Sequence, residues 1–432
     1  MLVILECIAM NKCTLLFILL LQLPVFSQKD VLPFLKKNNG EFYAELQKSA
    51  LLDAGFSANR YIFLGEIHGF AEPQQVDLAL FKRLNSRDSF NYYIAEIDDA
   101  KAWLLNEYLA TGNELLLEDV FYSWKQDTAQ WSNKQYFEKF RELHAYQQSL
   151  PAQKKFTVVG VDQPQDLIIT LRYFKLLFTK TSLFVDEVRQ LEKALEEQSL
   201  PLIEQTAKIL LDRISSEKDA SQQVYGINYV KIALLLNNLQ GINQSRDFSM
   251  YQNLKNYVAA YELETKKMYG FLGMFHCLQT SYNNVTPFAQ LVRMNMSEQT
   301  CTILGYYTDG FIMMPYIGQM KQMLPAAVVD QMKGSHPDFA HTDRYVALPY
   351  SNSQSNPFME KVAEIEKLEQ LANPSSVHLF RLTGKDSPFN KQSTYAQVNG
   401  AMGLQLTNKN DATTKAFQYI LLIRNVNPAS PR

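Results

Sequence analysis

The sequence predicts an α/β fold: a central, mostly parallel sheet flanked by helices, with a large helical insertion between the third and fourth core strands. Three observations carry this expectation. Short apolar runs alternate with longer helical stretches from residue 60 onward. Those runs are dense in Ile, Val, Phe and Tyr, as suits strands buried on both faces. A helical stretch of about a hundred residues separates two of them, and 432 residues at 47% hydrophobic content can supply the core that such a fold needs.

The expected core strands are 61–65, 92–96, 156–161, 270–277 and 301–307. Between the first two, PQQVDLALFKRLN sets Val76, Leu80 and Leu84 on one face at helical spacing, enough for the right-handed crossover of a parallel pair. Residues 101–150 hold all three Trp. The insertion, about 166–268, has LFVDEVRQLEKALEEQ and YVKIALLLNNLQ as its clearest helical pieces. It forms either a subdomain or lid above the sheet or a packed helical layer. After about 310, Pro315, Pro337, Pro349 and Pro357 interrupt the chain, EKVAEIEKLEQLA reads as a short charged helix, and VHLFRLT and FQYILLIRN read as strands. This C-terminal extension, about 310–432, continues the same sheet, so residues 28–432 are expected to be one α/β hydrolase-like domain. No repeat of solenoid period and no low-complexity tract is present.

Residues 1–27 read as a secretory signal peptide, with translation expected to start at Met10: Lys12 is followed by an apolar run through Leu21, and Val25 and Ser27 take the small-residue positions before a cut. The apolar run is short for a bilayer span, so no stable membrane span is expected after cleavage, and the expected location is secreted or periplasmic. Export would leave Cys277 and Cys301 in an oxidising compartment, as one disulfide or as two buried thiols. Lys+Arg at 42 against Asp+Glu at 44, with no dense basic run, excludes nucleic acid as the expected partner. A small-molecule or peptide substrate is expected instead.

Ligands of open α/β sheets bind outside the carboxyl ends of the strands. Here those ends are polar in succession: Glu66 and His68 in GEIHG, Glu96, Asp98 and Asp99 in AEIDD, Asp162 in GVDQP, His276 in GMFHC and Asp309 in YYTDG. One such residue is an ordinary cap; five strand ends so marked are not. GEIH and GMFH both place Gly three residues before His, and the chain has only six His. A glycine there permits close backbone approach while the imidazole turns toward the cleft. His144 and His378 fit structural packing, and His336 and His341 a polar surface loop.

The usual nucleophile and cofactor motifs are missing: no G-x-S-x-G, no H-E-x-x-H, no P-loop and no G-x-G-x-x-G after a strand. Water activated by His, or by a metal held by His and carboxylate, is then the available nucleophile of a hydrolase. In QSRDFSMYQNL, Arg246 precedes the helix leading into the GMFH strand. It serves either as a stabiliser of an oxyanion or substrate carboxylate, or as half of a surface pair with Asp247.

The strand into GEIHG with Glu72 after it, the strand ending in Glu96, the RDFSMYQNL helix and the strand into His276 together resemble the erythromycin esterase-like superfamily. That group includes the Tiki and TraB-type proteins, with two Gly-x-x-His motifs, and haem-binding iron-uptake lipoproteins. The resemblance covers roughly residues 58–100 and 240–310. It implies His68 as general base, Glu66 and Glu96 as residues that orient and tune it, His276 facing it across the cleft, and Arg246 assisting. Glu72, Asp162 and Tyr306 are the expected substrate-binding residues. A Tiki-like reading makes His68, Glu96 and His276 ligands of a divalent metal in a peptidase. A haem-binding reading makes His276, Tyr306 or Tyr307 an axial ligand. GEIHG is one residue shorter between Glu and His than the esterase motif, and His276 lacks a second His beside it, which brings the spacing nearer the Tiki-like form.

Overall fold

A computed structural model describes residues 30–179, 183–353, 361–399 and 403–432. The signal-peptide segment lies outside the described residues. Strands in chain order are β1 (Asn39–Glu41), β2 (Tyr61–Glu66), β3 (Tyr92–Ala95), β4 (Thr157–Gly160), β5 (Met268–Gly273), β6 (Thr300–Thr308), β7 (Gly310–Pro315), β8 (Tyr345–Tyr350), β9 (Lys361–Val362), β10 (Val377–Arg381), β11 (Val398–Asn399) and β12 (Tyr419–Arg424). Eight of them form one sheet in the order β1-β10-β12-β6-β2-β5-β3-β4. From β12 to β4 every neighbouring pair is parallel; β10 runs antiparallel to β12, and β1 antiparallel to β10.

Alternation along the strands builds a core on each face. In β2, Ile62 and Leu64 join the main apolar cluster with Val76, Leu80, Phe81 and Leu84 of the helix Glu72–Asp88. Tyr61 and Phe63 point the other way, onto Met250 and Leu254 of the helix Arg246–Ala260 and Phe288 of the helix Phe288–Asn295. This period of two is what a strand covered by helices on both faces requires. Val76, Leu80 and Leu84 are all fully buried, as their spacing predicts, and each burial is worth about 1.5–3 kcal/mol.

Between β4 and β5 the described residues hold the helices Leu167–Leu177, Val185–Glu196, Leu200–Ser216, Lys218–Tyr225, Asn228–Gln240 and Arg246–Ala260. Ile203, Ala207, Leu210 and Ile214 form the buried stripe of one of them, and they belong to the same apolar cluster as the sheet's Ile62 and Leu64. The insertion is thus packed continuously with the core. On the outer strand β4, the Asn106 side-chain amide donates to the Val158 carbonyl (2.8 Å) and accepts from the Val158 N–H (2.9 Å), covering part of an otherwise open edge.

Two expectations need correction. The fourth strand ends at Gly273, and residues 274–277 form a single 3-10 turn instead of more strand. Tyr306 and Tyr307, expected at a substrate or haem, face the two cores from inside the fifth strand, which runs to Thr308. Of the two readings left open for Cys277 and Cys301, the structure has the pair of buried free thiols, each pushed above the ordinary thiol range by burial. No helix among the described residues is long and apolar enough to cross a membrane.

Candidate functional site

The register of β2 and β5 pairs Gly65 with Leu272 and Glu66 with Gly273, so the two Gly-x-x-His turns leave the sheet side by side. Glycine is required at both positions by close approach. A Cβ on Gly65 would stand 3.0 Å from the Met274 Cα and 3.1 Å from the Cys277 Cβ, and one on Gly273 would stand 3.0 Å from the His68 Nε2 and 3.3 Å from a Glu96 oxygen. The strand order completes the site, because β5 lies between β2 and β3 and β4 follows β3. Residues from four adjacent strand ends therefore meet.

His68 Nδ1 lies 3.0 Å from Glu66 Oε1, and its Nε2 lies 3.8 Å from Glu96 Oε2. Glu66 is buried and its second oxygen accepts from Gln74 (3.2 Å). The turn carrying His68 is clamped: Gln130 Nε2 donates to the His68 carbonyl (3.1 Å), while Met313 N and Ala429 N donate to the Gly69 carbonyl (2.9 and 2.8 Å). Trp131 packs edge-on against the imidazole with ring centres 4.9 Å apart. Burial works against a charge on His68, but its contacts with Glu66 and Glu96 outweigh burial and raise its pKa. Burial raises that of Glu66, against the lowering effect of His68.

His276 has a different setting. Its Nδ1 donates to Asp247 (2.8 Å) and its Nε2 lies 3.4 Å from Glu96 Oε1. Burial again opposes the charge, yet Glu96 and Asp247 lift the pKa to about 10, so His276 is an imidazolium at neutral pH. Arg246 stands beside it, with Nη1 3.3 Å from the His276 Nε2, as two cations sharing one carboxylate. Arg246 Nη2 donates to Glu96 (2.6 Å) and to Asp162 (2.6 Å), and its Nε donates to the other Asp162 oxygen (3.0 Å). Burial disfavours this guanidinium charge, but the two carboxylates more than compensate and raise its pKa. Glu96 also accepts from the Gly273 N–H (2.6 Å). Burial alone would raise the Glu96 pKa; His276, His68 and Arg246 override it and hold the carboxylate well below the usual range.

The structure thus brings Glu66, His68, Glu96, Asp162, Arg246 and His276 together. Exposure is concentrated in two of them: the side chain of His68 is 22% exposed and that of Arg246 39%, against 3–5% for the three carboxylates. Asp162, expected at the substrate, instead fixes the Arg246 guanidinium by a two-pronged contact. Glu72 stands apart, accepting from the backbone and side chain of Asn427 (3.1 and 2.7 Å). Tyr306 is also absent from the site: it is 1% exposed and donates to the Tyr395 carbonyl (2.5 Å). Asp309 pairs with Arg424 (2.9 Å).

The pairing of Arg246 with Asp247 does not occur; consecutive residues at the start of one helix serve different partners. Asp247, Gln74, Gln130 and Trp131 are the site residues that sequence reasoning missed. The only signal for Asp247 was its place beside Arg246 in the RDFSMYQNL segment.

The donors do not fit a metal. Arg246 is bonded to Glu96 and abuts His276, so a cationic guanidinium already contacts both of these expected donors, and Asp247 engages the other His276 nitrogen. Among the described residues no group of three or more His, Cys, Asp or Glu is placed to hold a metal ion. Tyr306 and Tyr307, the tyrosines expected as haem ligands, are core residues; Tyr307 stacks on Phe70 with ring centres 4.3 Å apart.

No protein-family model matches the chain, and no curated protein matches it. Solved structures do. A Bacillus cereus protein from a structural-genomics programme has a TM-score of 0.67 at 13% identity, covering 94% of this chain and 100% of that one. A succinoglycan biosynthesis protein has a TM-score of 0.60 at 14% identity, covering 94% and 99%. The erythromycin esterase EreC, a histidine-to-asparagine variant in its open conformation, has a TM-score of 0.60 at 13% identity, covering 91% and 98%. The chain has the erythromycin esterase-like fold.

Proposed function

We propose that this chain is an exported hydrolase of the erythromycin esterase-like superfamily, cleaving an ester or amide bond of a small molecule or peptide with water activated by His68. The observation that carries the reading is the Glu66–His68 contact at 3.0 Å beside the exposed Arg246. Glu66 accepts the Nδ1 proton, which leaves the Nε2 lone pair free to act as base. Water attacking the carbonyl carbon passes its proton to Nε2. The carbonyl oxygen gains charge and is stabilised by Arg246, which Asp162 and Glu96 hold in one orientation. As the tetrahedral species collapses, Nε2–H returns the proton to the leaving alkoxide or amine. His276 is too strong a base to share this cycling at neutral pH; its fixed positive charge keeps Glu96 ionised. Export rests on the pattern of residues 10–27.

The test is turnover of an ester and peptide panel by the wild-type chain and by a folded His68→Ala variant. Turnover that depends on His68 supports the proposal. Equal turnover by the two overturns it, as does a wild-type protein inactive on the whole panel.

A further inference from the structure

A cavity of about 310 Å³ lies at the outer edge of the sheet and shares no lining residue with the His68 cluster. Its walls come from the helix Asp99–Thr111, β4, and the insertion helices, with Trp103, Tyr173, Tyr257 and Tyr261 supplying aromatic surface. Trp103 stacks on Tyr173 with ring centres 5.1 Å apart, and Tyr257 and Tyr261 pack at 4.7 Å.

Asp99 and Lys231 line this cavity near enough for the charge of Lys231 to act on Asp99, yet no hydrogen bond or ion pair joins them among the described residues. The Asp99 Oδ2 is buried and accepts no hydrogen bond. Its carboxyl is lifted to about 7, by burial first and the neighbouring Asp98 second, against a lowering by Lys231. Lys231, from the helix Asn228–Gln240, also lines the cavity and forms no ion pair among the described residues. A buried carboxylate oxygen without a hydrogen-bond partner is costly.

We infer that this cavity binds a zwitterionic amino acid with an apolar or aromatic side chain: its ammonium on Asp99, its carboxylate on Lys231, and its side chain against the Trp103 and tyrosine walls. A simple cation would satisfy Asp99 but meet Lys231 as a like charge; a simple anion would do the reverse. A ligand carrying both charges satisfies both. The aromatic walls favour a side chain that gains by leaving water.

The groups facing Asp99 are Asp98 on its own segment, Lys231 from one insertion helix, Tyr173 from another, and Tyr257 and Tyr261 from the helix before β5; Glu107 lines the cavity farther along the Asp99 helix. Because the ligand's ammonium needs the ionised carboxylate, affinity should weaken as pH falls below about 7, approaching tenfold per unit.

Calorimetry on the full chain tests this with L-phenylalanine, L-leucine and L-tyrosine, and with two analogues of the first: phenethylamine, lacking the carboxylate, and 3-phenylpropionate, lacking the ammonium. At least one amino acid should bind, and for phenylalanine each analogue should bind at least tenfold more weakly. Asp99→Asn should erase the preference over phenylpropionate, and Lys231→Met the preference over phenethylamine. The exposed side of Lys231 keeps the second variant informative should the first fail to fold. No binding by any of the three amino acids overturns the inference. So do analogues that bind as well as phenylalanine, or preferences untouched by both substitutions. Hydrolysis by His68 is measured separately, so either reading fails without the other.

Discussion

His68 and His276 each follow a glycine by three residues at the ends of neighbouring parallel strands, and nearby carboxylates raise the pKa of both, yet the two rings sit in different surroundings. His68 meets Glu66 at 3.0 Å and Glu96 at 3.8 Å and keeps a partly exposed ring. His276 is held between Asp247 and Glu96 and carries a proton up to about pH 10. The shared spacing places two imidazoles at one cleft; the carboxylates around each, with its burial, decide how firmly it holds a proton. Arg246 and Asp247 repeat the lesson within two consecutive residues.

The sharpest break of this comparison is to remove each ring in turn. His68→Ala should lower kcat by about 10²- to 10⁴-fold, the range of a lost general base. His276→Gln should cost less, because it removes a fixed charge and no proton carrier. Equal losses in steady-state kinetics would place both rings in the proton cycle. Arg246→Ala should follow at about 10²- to 10³-fold in kcat, with Arg246→Lys restoring only part, because an ammonium cannot span Asp162 and Glu96 as the planar guanidinium does. Full rescue by lysine would make the orientation of the guanidinium irrelevant.

A smaller effect comes from geometry alone. Gly273→Ala puts a Cβ 3.0 Å from the His68 Nε2, so the ring must give by a few tenths of an ångström. A loss of about tenfold in kcat/KM with little change in Tm is expected from misplacement of the base. Smallest is a shift in pH profile. Glu66 helps raise the His68 pKa, so Glu66→Gln should lower it, and the acidic limb of activity should move to lower pH because the base form persists further down. A limb that moves upward would assign the profile to another group.

Much of this was legible in the chain itself. Ile62, Leu64 and their neighbours announce a doubly buried strand because every position must satisfy one core or the other, and a charged residue where such a run stops marks its tip. Glu66, His68, Glu96, Asp162 and His276 were found that way. Strand order was not legible: nothing local in residues 268–273 says that they lie between β2 and β3, and that placement alone brings His276 to Glu96. Tyr306 was expected at the substrate, but near the end of a strand covered on both faces the sequence does not say whether a tyrosine turns to the cleft or into a core, and it is in a core. Asp247 and Glu72 were misjudged for a related reason. Each opens a helix, and the direction of a first-turn side chain depends on what packs beyond it.

The most direct test of the difference between the two rings is an NMR pH titration of the histidine side chains in the folded protein, assigned with His68→Ala and His276→Gln. The account predicts that the His276 signals remain those of an imidazolium through neutral pH and change only near pH 10, while His68 loses its proton at lower pH. A His276 that titrates together with His68 or below it would contradict the account.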